Sequence, residues 1–174
     1  MHLPFRIDLG CSDCLNSWPL LTEVYETYGD TVKFNYRLMP LPYHQYAFML
    51  AKSAFVVDTY GESGDVFSFF DTVYTSENQG RIYNGATNDL SYNDVMNDIV
   101  AEFVTNATNI DADQYIQGMD ASVCGACEMN ARYSFKNAAL RGVYGTPMQQ
   151  VNGVLVDGLD EMEDWKQVLD SLVN

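Results

Sequence analysis

The apolar and polar positions along the chain change period several times, and each change predicts an element. Pro4–Phe5–Arg6–Ile7–Asp8–Leu9 is an apolar run ending at Gly10, which predicts a first strand over residues 4–9. Leu20, Leu21, Val24 and Tyr28 recur at helical spacing, so a helix is expected from about Cys11 to Tyr28, with Gly29–Asp30 closing it. Val32 to Leu38 alternates apolar and polar residues, the pattern of a half-buried strand. Strand, helix and strand at this spacing predict a parallel, right-handed crossover.

The middle of the chain reads as helical. Tyr43 to Thr59 carries a broad apolar face through Phe48, Leu50, Ala51, Ala54 and Phe55. Residues 65–75 bring Val66, Phe69, Phe70, Val73 and Tyr74 to one side. Ser91 and Asp94 can cap a helix that buries Val95, Ile99, Val100 and Phe103. A short helix fits 112–118, and a last one is expected from Met129 to Leu140, ended by Gly142. Met148–Val151 and Val154–Val156 then flank Asn152–Gly153, a strong hairpin signal because both turn residues need a positive φ. Asp160 and Glu163 fit a capping box for a final helix burying Trp165, Val168, Leu169 and Leu172.

The 174 residues are expected to form a single domain over 1–174, with a helical insertion at about 43–142. Hydrophobic residues make up 47% of the chain, enough for a sizeable core. A net charge of −15 disfavours nucleic acid and anionic membranes as partners. No apolar run approaches the roughly 20 residues of a membrane-spanning helix, so no membrane insertion is expected. Met1 leads straight into the first strand with no signal-peptide pattern. The compartment stays open, with a secretory or extracytoplasmic one slightly favoured.

The four cysteines form two C-x-x-C pairs. Cys11–Ser12–Asp13–Cys14 stands at the start of the first helix, where free backbone N–H groups and the helix dipole stabilise a thiolate. Cys11 is therefore the expected nucleophile, and Cys14, one turn deeper, the resolving thiol. Asp13 places a carboxylate between them, which is expected to raise the Cys11 pKa. Asp8 is either a buried carboxylate that relays the Cys14 proton, or a group that faces water or caps the turn at Gly10. His44 is expected to cap or pack, and His2 to be a mobile terminal residue. The second pair, Cys124–Gly125–Ala126–Cys127, follows a loop and lacks its own strand–helix–strand unit, which points to a structural disulfide rather than an electron relay.

The order βαβ, a helical block, then ββα, with CSDC after the first strand and GTP before the third, resembles the thioredoxin superfamily. The inserted helices resemble its DsbA-like branch. Asp8 three before Cys11, Pro19 five after Cys14, Leu41–Pro42–Tyr43–His44 with Ala47–Phe48, and Arg141 to Pro147 followed by Val151–Asn152–Gly153 carry the likeness. The resemblance implies an α/β thioredoxin-like fold and thiol–disulfide exchange with protein or peptide thiols, with no cofactor. It also implies that Pro147 is in cis beside the cysteines and that the Thr146 backbone receives an extended substrate. Strongly oxidising members carry a histidine where Asp13 stands. The expected potential is therefore nearer thioredoxin's (about −270 mV) than DsbA's (about −120 mV).

Three other readings compete. The two C-x-x-C pairs could form a Cys₄ zinc site, although a long stretch of chain separates them. The peptide groove beside Pro147 could bind a partner without exchange. A glutathione-dependent transferase of kappa type is a third, disfavoured because Cys14 is retained.

Overall fold

Strand β1 (His2–Ile7) is central, and its alternation organises the molecule. Leu3, Phe5 and Ile7 are fully buried on one face, while Arg6 and then Asp8 are buried on the other. The computed structural model describes residues 2–173. Its sheet has the order β2-β1-β3-β4. Strand β2 (Lys33–Leu38) runs parallel to β1, with Phe5 opposite Tyr36 and Arg6 opposite Arg37. Strand β3 (Met148–Val151) runs antiparallel to β1, and β4 (Val154–Val156) antiparallel to β3. Asn152 (φ 50°) and Gly153 (φ 89°) form the hairpin turn between them, both in the left-handed region as the Asn-Gly signal requires.

Helix α1 (Ser12–Tyr28) links β1 to β2 and buries Cys14, Trp18, Leu21, Val24 and Tyr28. Helix α9 (Met162–Val173) packs on the same face, where Trp165 meets Phe5 edge-on at 5.6 Å. The Tyr28 hydroxyl donates to Asp170 at 2.6 Å and ties α1 to α9. Between β2 and β3 run α2 (Ala47–Tyr60), α3 (Asp65–Val73), α4 (Ser76–Ile82), α5 (Tyr92–Asp94), a π-helical segment Val95–Val100, α6 (Ala101–Ala107), α7 (Ala112–Gly118) and α8 (Gly125–Leu140). Helix α8 covers the other face of the sheet, where Ser134 Oγ donates to the Leu38 carbonyl at 2.6 Å. Among the described residues no helix is long and apolar enough to cross a membrane.

Several boundaries differ from the sequence reading. Helix α2 begins at Ala47, not Tyr43, because residues 41–46 form a turn with His44 N–H bonded to the Leu41 carbonyl. Helix α4 was not expected: its sequence SENQGRI has no apolar period, and the Thr75 hydroxyl starts it by accepting from Asn78 N–H. The Ser91–Asp94 capping box is present, but the helix it opens widens at once into the π-helical segment. The box expected at Asp160 and Glu163 is displaced by one residue, since Asp164 accepts from the Glu161 N–H at 3.0 Å. Leu172 lies 48% exposed rather than buried, because α9 presents only Trp165 and Leu169 fully to the core. His2 is the first residue of β1, opposite Lys33, rather than a loose terminus, and its side chain lies outside the described residues.

Candidate active site

Three chain segments meet at the C-terminal end of β1. The Cys11 N–H donates to the Asp8 carbonyl at 3.0 Å, which tightens the turn into α1 and puts Cys11 at the N-cap. Cys14, one turn on, is completely buried, and its Sγ accepts from the Asp8 N–H at 3.4 Å. The loop before β3 supplies the third segment: the Thr146–Pro147 peptide is cis, and the Thr146 carbonyl accepts from Cys11 Sγ at 3.3 Å. Cys11 and Cys14 are free thiols, both buried.

This setting lowers the Cys11 pKa to about 6. The largest cause is the hydrogen bond that the Cys14 thiol gives the thiolate; burial opposes it, and the Thr146 hydroxyl and the N–H groups of Cys14 and Asp13 add to it. The Thr146 hydroxyl is buried and makes no other hydrogen bond that would compete with the Cys11 thiolate for it. Burial, followed by the neighbouring Cys11, pushes Cys14 well above its ordinary value. One thiol is thus poised to ionise while the other holds its proton. The expected rise of the Cys11 pKa through Asp13 is overturned. The Asp13 side chain is exposed, and the residue acts on Cys11 through its backbone N–H, which favours the thiolate.

A cysteine whose folded pKa is depressed adds stability that is complete above its unfolded value and is lost as pH falls through its folded value. The reduced protein should therefore gain on the oxidised one as pH rises from about 6 to about 8.5, by at most about 3 kcal/mol. Thermal unfolding of both forms across that range checks this; a gap that does not change with pH would contradict the lowered thiolate.

Asp8 is 1% exposed, which removes the reading in which it faces water. Its Oδ1 accepts from Gly10 N–H at 2.9 Å, the turn cap that was one alternative. Its Oδ2 accepts from Leu41 N–H at 2.9 Å and pairs with His44 Nδ1 at 2.7 Å. Asp8 thus stitches the turn before Cys11 to the segment leaving β2. The hydrogen bond to Asp8 is the main cause that raises the His44 pKa, against burial, with the charges of Cys11 and Asp13 also contributing. His44 does not cap α2, where Tyr46 holds the N-cap position. The sequence reading missed this pairing. Its available signal was the parallel crossover, which brings the C-terminal ends of β1 and β2 side by side. Tyr74 was also missed: its fully buried hydroxyl donates to the Asp8 carbonyl at 3.0 Å.

Cys124 and Cys127 are joined in a disulfide. Contrary to expectation they too sit at a helix start, with Cys124 as the N-cap of α8 and its Sγ accepting from Cys127 N–H at 3.2 Å. Helix α8 begins before Met129 because Gly125 and Ala126 add a turn without an apolar signal. Cys127 Sγ lies 3.5 Å from the Phe55 carbonyl and the Thr59 hydroxyl, near the C-terminal end of α2. His44, beside the first pair, precedes the N-terminus of that helix. At 1.5 Å per residue the two pairs are separated by on the order of 15 Å along α2. The four sulfurs therefore do not converge into a zinc set.

No family profile matches the chain, and no curated protein matches it in sequence. Solved structures do match. A candidate protein-disulfide isomerase from Pseudomonas syringae superposes with a TM-score of 0.73 at 16% identity, covering 97% of this chain and 92% of that one. The oxidoreductase DsbA from Xylella fastidiosa gives 0.71 at 17% identity, over 99% of this chain and 83% of that one. This chain has the DsbA-like thioredoxin fold. A thioredoxin-like oxidoreductase from Silicibacter pomeroyi is similar in the same way, with a TM-score of 0.69 at 18% identity, over 98% of this chain and 84% of that one. Within the DsbA-like fold, the helices from α2 to α8 are the block inserted between β2 and β3.

Proposed function

We propose that the protein is a thiol–disulfide oxidoreductase that exchanges disulfides with protein or peptide thiols through Cys11 and Cys14. The observation that carries this reading is a thiol with a pKa of about 6 at a helix N-terminus, beside a buried partner that keeps its proton. In the reducing direction the Cys11 thiolate attacks a substrate disulfide, forming a mixed disulfide and releasing one substrate thiolate. Cys14 then loses its proton and attacks Cys11 Sγ, which closes Cys11–Cys14 and releases the second thiolate. The oxidising direction is the reverse. Asp8, whose main-chain N–H meets Cys14 Sγ at 3.4 Å, is the proposed acceptor of the Cys14 proton, and His44, paired with the Asp8 carboxylate and with its side chain 23% exposed, is the proposed route of that proton to solvent. Thr146 and Pro147 form the proposed docking edge for an extended substrate.

A Cys11 pKa of about 6 lies between those of thioredoxin (about 7) and DsbA (about 3.5), nearer the former. The proposed potential is accordingly closer to about −270 mV than to about −120 mV, and equilibration with glutathione measures it. A DsbA-like value would refute that placement.

The cleft beside Thr146 and Pro147 has a volume of ≈ 370 Å³ and is rimmed by Asp13, Asp157 and Asp160. It favours substrates with Lys or Arg next to the exchanging cysteine. Peptide disulfides flanked by basic residues should react about two- to fivefold faster than acidic ones, the effect of one or two exposed ion pairs. The difference should shrink in 0.5 M salt and in a D157N/D160N variant. Equal rates at low salt would remove the cleft from the substrate path. The proposed activity itself is tested by insulin reduction, present in the wild type and absent in a C11S/C14S variant.

A further inference from the structure

The sheet face under α8 holds a second cluster of functional groups that exchange chemistry does not use. Arg6, in mid-strand on β1, is 2% exposed. Its Nη2 donates to Asn137 Oδ1 at 3.3 Å and to Gln150 Oε1 at 3.4 Å, while its Nε and Nη1 are buried without partners. Arg37, opposite Arg6 on β2, and Arg141, just beyond α8, line the same pocket and are exposed at its mouth. With Asn35 on its wall, the pocket has a volume of ≈ 250 Å³.

Among the described residues no carboxylate forms an ion pair with any of these three arginines. This is unusual in a chain with 24 acidic residues and only 9 Lys and Arg. Burial, together with the nearby charges of Arg37 and Arg141, pushes the Arg6 guanidinium below its ordinary value. An arginine does not give up its proton near neutral pH, so the pocket floor carries a buried positive charge with open donors. Such a charge is costly unless something of opposite sign satisfies it.

We propose that this pocket binds a phosphate group, either as the free ion or as a small phosphomonoester. Three guanidinium groups around one cavity match a dianion better than a single carboxylate, which would leave two charges unbalanced. Arg6, with its Nε–H and Nη1–H buried and unpartnered, sets the positive charge beneath the floor, and the accessible guanidinium groups of Arg37 and Arg141 supply the direct hydrogen bonds to phosphate oxygens. The pocket is larger than a phosphate ion needs, which leaves room for a small ester group.

Calorimetric titration and thermal unfolding of the full chain, at ionic strength held constant with sodium chloride, test the site with inorganic phosphate, glycerol 3-phosphate and succinate. Saturable binding of phosphate or its ester with a raised Tm is the expected result. Tighter binding of the ester assigns a phosphomonoester, and equal affinities assign the free ion. Arg6→Gln risks the fold, so Arg37→Gln and Arg141→Gln carry the test. Each should weaken binding about tenfold while leaving the circular dichroism spectrum unchanged. The proposal is overturned by the absence of saturable binding, by binding of succinate alone, or by affinity unaltered in the double rim variant.

Discussion

Cys11→Ser should lower insulin reduction by at least about a thousandfold, because a serine hydroxyl cannot form the mixed disulfide on which both steps depend. Cys14→Ser should also abolish turnover, for a different reason: the mixed disulfide forms at Cys11 but nothing resolves it. Cys124→Ser is the control that separates the two pairs. It opens the α8 disulfide, which closes only a short loop, so it should cost about 2 kcal/mol of stability. Its turnover should match the wild type at a temperature where both are folded. The contrast arises from surroundings and not from the cysteine spacing. Both pairs begin helices, yet Cys11 has a thiol partner, the Thr146 carbonyl and open backbone donors around it, whereas Cys124 is already bonded to Cys127. Turnover that persists in Cys11→Ser would place the exchange elsewhere.

Asp8→Ala should destabilise the protein by about 3–5 kcal/mol. The carboxylate is the common acceptor for Gly10 N–H, Leu41 N–H and His44. Alanine leaves two main-chain donors short of a partner and strips the imidazolium of its counterion. Asp8→Asn, which keeps one acceptor oxygen, should lose less. The pH dependence has a definite sign. The His44 pKa is raised in the folded protein, so the stability this pairing contributes is complete below about pH 6.5 and is lost as pH rises through the folded value. The gap between wild type and Asp8→Ala in urea unfolding should therefore be widest in mild acid and narrow toward alkaline pH. A loss under about 1 kcal/mol would show that Asp8 does not hold the loop together.

The parts of the fold legible in the sequence are those where burial repeats with a fixed period. Leu3, Phe5 and Ile7 recur every second residue because one face of β1 meets the apolar core, while the other carries Arg6 and Asp8, and Asn152–Gly153 declares its turn because few other residues tolerate two positive φ values. Helix α4 was hidden because only Ile82 of its seven residues is buried, so no stripe betrays it. The π-helical turn after Asp94 was hidden because residues 95–103 keep an apolar pattern that a regular helix would share. At the site, CSDC announced a thiol pair, and the sheet places Thr146, Pro147 and Asp8 around it. Reasoning from the Asp13 charge failed because it treated a side chain in isolation. That carboxylate points to solvent, and the ionisation of Cys11 is governed by the Cys14 thiol and by main-chain N–H groups that no sequence motif displays. His44 was underrated for a related reason: its surroundings are set by a partner distant in sequence, Asp8.

The central claim is that Cys11 is the attacking sulfur. The most direct measurement is to mix the Cys14→Ser protein with a peptide disulfide at pH 7, quench with acid, and locate the covalent adduct by mass spectrometry after digestion. A single mixed disulfide on Cys11, with Cys124 and Cys127 still joined to each other, is the expected result. An adduct on Cys124 or Cys127, or no adduct at all, would contradict it.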